Sequence, residues 1–154
     1  MMRWLLALGL LFLAPALAQG GVRTSITVGE MEALLKAWGF RHEREDGKEG
    51  PYFVVYFGDL KATLLLLRCE GDRCLALLLG GSFTGFAPEK RPDHARINEW
   101  NREKLFSRAY LDEDGDPVVE ADLDLEGGVT DGAIREFLET FRETLEAFAD
   151  WIGF

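Results

Sequence analysis

Hydrophobic residues recur at helical spacing near the start of the chain. Between Thr27 and Gly39 the apolar positions are Met31, Leu34, Leu35 and Trp38. The spacing i, i+3, i+4, i+7 places these side chains on one face of a helix. Thr27 and Glu30 have the spacing of a capping box, and glycine commonly follows the last helical residue. We therefore predict a first helix over about residues 27–39.

A longer helical stripe ends the chain. Thr130 is a suitable N-cap, and the apolar positions after it are Ile134, Phe137, Leu138, Phe141, Leu145, Phe148 and Ile152. The glutamates of this segment lie mostly outside the stripe, as expected for a helix with one solvated face. A shorter helix is predicted to start after Asp93 and to end near Lys104, with Ile97 and Trp100 on its apolar side.

Between the helices lie segments rich in β-branched, leucine and aromatic residues, separated by glycine and aspartate. They cover residues 52–57, 60–69, 74–83, 105–111 and 117–125 and read as strands. Residues 41–51 are polar and read as a loop or an edge strand. The predicted order of elements is α-β-β-β-α-β-β-α. This order predicts an α+β fold with an antiparallel sheet.

Two of the predicted strands contain continuous apolar runs, at 64–67 and 77–79. Strands that are apolar on both sides are usually covered on both faces. The helices can cover one face only. Either a second copy of the chain covers the other face, which predicts a homodimer, or the sheet bends around a single core.

The last predicted hairpin admits two registers. If its loop spans residues 112–116, the first strand turns inward Leu105, Ala109 and Leu111. If Asp114 and Gly115 alone form the turn, the inward residues are Phe106 and Tyr110. We favour the five-residue loop, because it keeps the charge of Arg108 out of the core and places it opposite Glu120.

Residues 1–18 have the three-part pattern of a secretory signal peptide. Arg3 precedes an uncharged apolar stretch, Pro15 interrupts it, and small residues lead to a predicted cleavage after Ala18. The apolar stretch is shorter than the roughly 20 residues that a spanning helix needs, so no membrane anchor is expected after cleavage. We predict an exported protein, periplasmic or secreted, with a flexible leader at 19–25 and a single α+β domain at 26–154.

The formal net charge is −10, and removal of Arg3 with the signal makes it more negative. A field of this sign repels phosphate backbones and anionic lipid headgroups. Nucleic acids and membrane surfaces are therefore not expected as partners, whereas a basic protein or peptide is compatible with the charge.

The only cysteines, Cys69 and Cys74, flank four residues between two predicted strands. Cysteines that close such a hairpin loop face each other at a distance that a disulfide can span. A zinc site would need further ligands, and a redox-active pair usually has C-x-x-C spacing. In an exported protein this pair predicts a structural disulfide.

Three aspartates in the last hairpin, Asp112, Asp114 and Asp116, invite comparison with a calcium-binding loop. The EF-hand pattern needs glycine at its sixth position and glutamate at its twelfth. Counted from Asp112, those positions hold Pro117 and Leu123. The pattern fails, and a solvated turn is expected.

No catalytic pattern emerges elsewhere. Ser82 lacks the spacing of a nucleophile elbow, and His42 and His94 lie in charged surroundings typical of surface loops. Phosphate-binding and dinucleotide-binding glycine patterns are missing from the sequence. We predict no catalytic, metal-binding or cofactor-binding residues and no cofactor. A hydrolase that uses dispersed carboxylates stays open as an alternative, because 27 acidic residues leave it untested.

The sequence Asn98-Glu99-Trp100-Asn101 is the most unusual local feature. Asparagine is a mediocre helix former, so two asparagines in one short helix need a reason. In a structural interpretation, Asn101 hydrogen-bonds the backbone of a loop while Trp100 packs inward. In a functional interpretation, Asn98, Trp100 and Asn101 form a recognition edge for a peptide. We favour the structural interpretation.

These residues also carry a family resemblance. The segments 97–101, 106–112, 115–116, 122–123 and 127–129 resemble the YbjN-like domain, and the resemblance extends over about residues 26–152. The paired cysteines and the signal resemble its exported branch. The resemblance implies a fold like that of type III secretion chaperones, which dimerise and hold extended segments of a client protein. YbjN-like proteins are described as regulators of sensory transduction without agreed catalytic residues.

These observations favour a non-enzymatic binding module of the bacterial envelope, chaperone-like and linked to sensory regulation, with a protein or peptide client. A small hydrolase and a structural envelope protein are the alternatives.

Overall fold

The computed structural model describes residues 21–154. The predicted signal peptide and its cleavage after Ala18 lie outside the described residues. Three α-helices are present: α1 (Val28–Ala37), α2 (His94–Glu103) and α3 (Asp131–Ile152). The strands are β1 (Val22–Arg23), β2 (Ile26–Thr27), β3 (His42–Gly47), β4 (Gly50–Phe57), β5 (Leu60–Glu70), β6 (Arg73–Ser82), β7 (Arg108–Leu111), β8 (Pro117–Asp124) and β9 (Val129–Thr130).

The large sheet is antiparallel with strand order β3-β4-β5-β6-β8-β7, and β2 also pairs with the first residues of β6. The predicted α+β class with an antiparallel sheet is confirmed. The predicted order lacks one full-length strand, since the polar segment after α1 forms the edge strand β3. Its charged side chains give no hydrophobic alternation, which explains why the pattern leaves loop and edge strand equally open.

The helix ends follow the predicted caps. The Thr27 side chain accepts a hydrogen bond from the Glu30 N–H at 3.1 Å, and the Glu30 carboxylate accepts one from the Thr27 N–H at 2.8 Å. This capping box fixes the start of α1. The side chains of Asp93 and Thr130 cap α2 and α3 by accepting single hydrogen bonds from the N–H groups of Arg96 and Ala133.

One face of the sheet forms the core together with α1 and α3. Fully buried residues on it include Phe53, Leu64, Leu77, Leu79 and Val119. At Gly81 the backbone of β6 and the α3 side chains are so close that a Cβ atom would overlap Leu145. A side chain at this position would therefore force Leu145 to shift.

The opposite face, which we call the outer face, carries half-buried Val54, Leu65, Leu67 and Leu78. They do not belong to the hydrophobic core. The apolar runs of β5 and β6 thus have one buried side and one partly exposed side. Whether a second copy covers the outer face stays a prediction.

The β7–β8 hairpin has the favoured register. Arg108 pairs with Glu120 and Leu111 with Pro117 across a five-residue loop. The placement of Leu105 is wrong, however: it is 76% exposed instead of lying in the core. The physical reason is that the ladder stops at Arg108, because the chain turns away at Phe106, whose φ is 61°.

The stretch expected to be a flexible leader is held at residues 22–23. Val22 and Arg23 pair with β9, and the Arg23 guanidinium binds the carboxylate of Asp131 at the start of α3. Asp131 raises the pKa of Arg23 through this hydrogen bond. Residues 22–23 are therefore held by strand pairing and by an ion pair between residues far apart in sequence, contacts that local composition does not reveal.

Candidate functional site

The strand β8 is only partly paired on its β7 side. The register ends with Arg108 opposite Glu120, so residues 121–124 have no strand beside them on that side within residues 21–154. A groove lies between this open edge and α3, with a volume of about 670 Å³. We call it the β8 groove. Its apolar lining consists of Ala121, Leu123, Ala133, Phe137, Phe141 and, at the rim, Phe106.

The open edge exposes backbone hydrogen-bonding groups. The odd-numbered residues of this segment pair with β6, as in the hydrogen bond from the Leu125 N–H to the Leu75 carbonyl at 2.8 Å. In an antiparallel ladder the intervening residues face the other way. The N–H and C=O groups of Asp122 and Asp124 therefore point to the unpaired side. This edge can accept another strand.

The rim of the groove is apolar and strained. Leu105 and Phe106 are 76% and 78% exposed, although both are large hydrophobic residues. Phe106 also has a left-handed backbone conformation, which is rare for a bulky side chain. Strained residues of this kind cluster at functional sites. The loop from α2 to β7 thus places the exposed Phe106 at the apolar groove, with the exposed Leu105 next to it in sequence.

Carboxylates surround the groove: Glu120, Asp122 and Glu136 line it. Arg108 binds Glu120 at 2.7 Å and lies 3.8 Å from Asp122. The hydrogen bond that Arg108 donates to Glu120 raises the pKa of Arg108. The guanidinium is thus occupied mainly by one carboxylate. The surroundings of the groove stay negative.

Carboxylates also outnumber guanidinium groups on the outer-face side of the same edge. Asp124 lies 3.5 Å from Arg68, but the shorter ion pair of Arg68 is with Glu126, at 2.8 Å. Glu126 raises the pKa of Arg68 through this contact. Asp122 and Asp124 expose 64% and 62% of their side chains, so both carboxylates are accessible to a partner.

The residues considered for chemistry are not brought together. His42 lies on β3, where its Nδ1 is 2.8 Å from the Phe40 carbonyl oxygen, while Ser82 ends β6, with two strands between β3 and β6. His94 is exposed at the start of α2. Within residues 21–154, no group of three His, Cys, Asp or Glu side chains is placed to hold a metal ion.

The aspartates of the β7–β8 loop hold its backbone. Asp112 accepts hydrogen bonds from the N–H groups of Asp114 and Asp116 at 3.0 and 2.8 Å. The buried Asp116 Oδ1 lies 3.4 Å from Arg91 but accepts no hydrogen bond. These contacts give the cluster a structural role in the turn.

Two residues of the Asn-Glu-Trp-Asn sequence support the loop that forms the groove rim. Asn101 donates to the Ala109 carbonyl at 2.9 Å and accepts from the Ala109 N–H at 2.8 Å, as a neighbouring strand would. The buried Trp100 indole donates to the Ser107 hydroxyl at 3.1 Å. Asn98 is exposed. Asn101 and Trp100 thus hold Ala109 and Ser107, which directly follow Phe106 in the chain.

The hydrophobic pattern does not reveal the groove. Phe137 and Phe141 belong to the apolar stripe of α3, and the pattern assigns both to the core. Phe141 is buried, whereas Phe137 is only half-buried and faces the groove. One sequence signal could have revealed the groove. The alternation of apolar and acidic residues in β8 continues through residues 121–124, beyond the last residue that pairs with β7.

The sequence model of one protein family matches residues 27–154, from the N-cap of α1 to the last residue. The chain belongs to the YbjN family. The description of this family reads "Putative bacterial sensory transduction regulator". No curated protein matches the chain. The matched region contains the β8 groove and the Asn98–Asn101 segment, so both lie within the YbjN domain.

The cysteines bear on the location of this YbjN domain. Cys69 and Cys74 are joined by a disulfide across the β5–β6 turn. Among residues 21–154 no helix is long and apolar enough to cross a membrane. The disulfide fits an exported protein, since such bonds persist in oxidising compartments.

Proposed function

We propose that this YbjN-family protein is a non-enzymatic regulatory module that binds an extended segment of a partner protein in the β8 groove. One observation carries the proposal: an unpaired strand edge lies directly beside an apolar groove. Each feature alone is a liability for a secreted domain, because open edges and apolar surfaces promote aggregation. Together they form the two halves of a site that accepts a polypeptide.

The dimensions of the groove support this function. Its volume of about 670 Å³ falls in the range of ordinary ligand pockets, and consecutive residues 120–123 of β8 line it. A segment in the groove would contact Phe137 and Phe141 and would cover the exposed Phe106. Burial of aromatic side chains is a common source of binding energy at protein interfaces.

The hydrolase alternative receives less support. A general acid at neutral pH needs a carboxyl group whose pKa is raised. The carboxyl groups that shift do so in the other direction. The Thr27 backbone hydrogen bond lowers the pKa of Glu30, and the hydrogen bond from Lys36 lowers that of Glu32. Neither residue lines the groove.

We place the binding event in the bacterial envelope or outside the cell. The predicted signal peptide motivates this location, and the Cys69–Cys74 disulfide supports it, since such bonds persist in oxidising compartments. A chaperone-like role toward an exported client would use the same groove.

The expectation that a second copy covers the outer face is tested separately. Sedimentation measurements at micromolar concentration should give the mass of a dimer, and Leu78→Lys should convert it to a monomer, because Leu78 lies in the apolar part of that face. A monomer in the wild type would contradict the homodimer.

Site-specific photocrosslinking in cells tests the groove. A photoreactive phenylalanine analogue at Phe106 should crosslink to a partner protein. The same analogue at Glu143, on the exposed side of α3, should not. Phe137→Arg should suppress the crosslink by placing a charge in the groove. Equal crosslinking from both positions, or crosslinking that is unaffected by Phe137→Arg, would contradict the proposal.

A further inference from the structure

We infer that the occupant of the β8 groove is an extended strand in which apolar residues alternate with lysine or arginine. The inference rests on the proposed function and names the chemistry of the partner segment. It follows from the backbone groups, the two faces and the charges of the open half of β8.

The backbone defines the place of the added strand. If the β7–β8 ladder continued beyond Arg108 and Glu120, Ser107 would pair with Ala121, and Leu105 with Leu123. The left-handed Phe106 prevents this pairing by turning residues 105–107 away. The vacated positions leave the N–H and C=O groups of Asp122 facing open space. A strand of another polypeptide can occupy these positions.

The two faces of β8 determine how apolar and charged residues alternate along the added strand. Ala121 and Leu123 project toward the side of α3, where Phe137 and Phe141 lie. Asp122 and Asp124 project from the outer face. Successive side chains of an added strand also point to opposite faces. Every second residue therefore enters the apolar groove, and the intervening residues lie beside the two aspartates.

The charges define the residues on the outer face. Arg108 and Arg68 make their shorter contacts with Glu120 and Glu126, so they only partly neutralise Asp122 and Asp124. Oppositely charged neighbours across strands are stabilising and like charges are destabilising. Lysine or arginine on the added strand is the complementary choice. The net charge of −10 also favours the approach of a basic segment.

The same charges argue against a second copy at this edge. Symmetric antiparallel pairing of two β8 edges would place Asp122 and Asp124 opposite the same aspartates of the other copy. The like charges would repel each other at the positions where the strands meet. A basic partner strand encounters attraction at the same positions.

Fluorescence anisotropy with labelled synthetic peptides tests the inference on the mature full-length chain. The probe is a peptide of about eight residues with alternating valine and lysine. One comparison peptide replaces lysine by glutamate, a second has the same composition in two blocks, and a third carries N-methyl groups on alternate amides. The alternating valine–lysine peptide should bind about tenfold more tightly than each of the others.

The variant Asp122→Asn/Asp124→Asn should weaken binding of the valine–lysine peptide about tenfold and remove its advantage over the glutamate peptide. Asparagine at 124 can still accept the hydrogen bond from the Glu126 N–H, so the strand end is retained. The matched control is Glu143→Gln/Glu146→Gln, which removes the same charge from the exposed side of α3. This control should bind like the wild type.

Suppose that the Phe106 photocrosslinks persist. Then a lack of peptide binding, or equal binding of the block and alternating peptides, would overturn the inference and leave the proposed function in place. Equal binding of the lysine and glutamate peptides would overturn the assignment of a basic strand. If the photocrosslinks are absent as well, the proposed function itself fails.

Discussion

The two principal hairpins of the molecule differ in how completely the chain pairs them. In the first, β5 and β6 pair along most of their length, and β6 also has β8 and β2 on its other side. In the second hairpin, formed by β7 and β8, β8 pairs along its length with β6 on one edge but only with the short β7 on the other edge. The first hairpin is an internally complete part of the sheet, and the second leaves residues 121–124 of β8 unpaired on one edge.

The turns of the two hairpins show the same difference. A covalent bond between Cys69 and Cys74 closes the first. The second is held by hydrogen bonds to Asp112 and by the contact of Arg91 with Asp116. The stable hairpin positions the core, while the other hairpin carries the groove. Binding sites are commonly formed by the less stable parts of a fold.

The largest expected difference concerns matched leucines in the two hairpins. Leu79→Ala in β6 removes a fully buried side chain and should lower the free energy of unfolding by about 3 kcal/mol. Leu123→Ala in β8 removes a half-buried side chain at the groove and should cost about 1 kcal/mol. Urea unfolding of both variants measures the difference. Equal losses would contradict the distinction between a complete and an incomplete hairpin.

The disulfide should give the next largest effect. Replacement of both cysteines by serine should lower the free energy of unfolding by about 2 kcal/mol, because the unfolded chain gains the entropy of an open loop. Chemical denaturation under oxidising conditions measures the loss. The wild type with reductant serves as the control and should match the variant. Peptide binding at the β8 groove should be unchanged.

Asp112→Ala should have a smaller effect of about 1 kcal/mol. The substitution removes the acceptor for the N–H groups of Asp114 and Asp116 at the turn of the second hairpin. Asp112→Asn keeps one acceptor oxygen and should retain most of the stability. Thermal unfolding of the two variants tests the turn role. A larger loss in Asp112→Asn than in Asp112→Ala would contradict it.

The smallest effect is a pH dependence of the contact between the first hairpin and α1. The Thr27 backbone hydrogen bond, followed by Arg73 of β6, lowers the pKa of Glu30 below its ordinary value of 4.5. The ionised group is therefore favoured in the folded state. Its contribution is present above pH 4.5 and is lost as pH falls through the lower folded pKa.

The contribution should be below about 1 kcal/mol, since the Glu30 side chain is 38% exposed and solvent screens it. Glu30→Gln should flatten the decline of stability in acid. Urea unfolding of the wild type and of Glu30→Gln at pH values above and below 4.5 measures this decline of stability. An unchanged acid slope in the variant would assign that slope to other groups.

Local sequence patterns are sufficient to predict most of this fold. The capping residues Thr27, Asp93 and Thr130 fix the helix starts, because caps depend on neighbours within three residues. The register of β7 and β8 follows from period-2 alternation and from the need to keep Arg108 paired. These features depend on short-range chemistry.

The groove exists because β7 ends at Arg108, and the hydrophobic pattern does not predict where this strand ends. Leu105 continues the alternation of β7, so the pattern predicts that it is buried. The backbone turn at Phe106 ends the strand instead. A left-handed aromatic residue has no composition signal. The site appears only when tertiary contacts decide where a strand stops.

The position of Trp100 gives the groove a natural optical reporter. Its indole is buried, packs edge-to-face on Phe148 with ring centroids 4.9 Å apart, and donates to Ser107, the residue after Phe106. The neighbouring Trp151 indole lies 5.9 Å away between centroids. A partner that moves the rim would change the surroundings of both fluorophores. Intrinsic emission should therefore follow occupancy of the β8 groove without any attached dye.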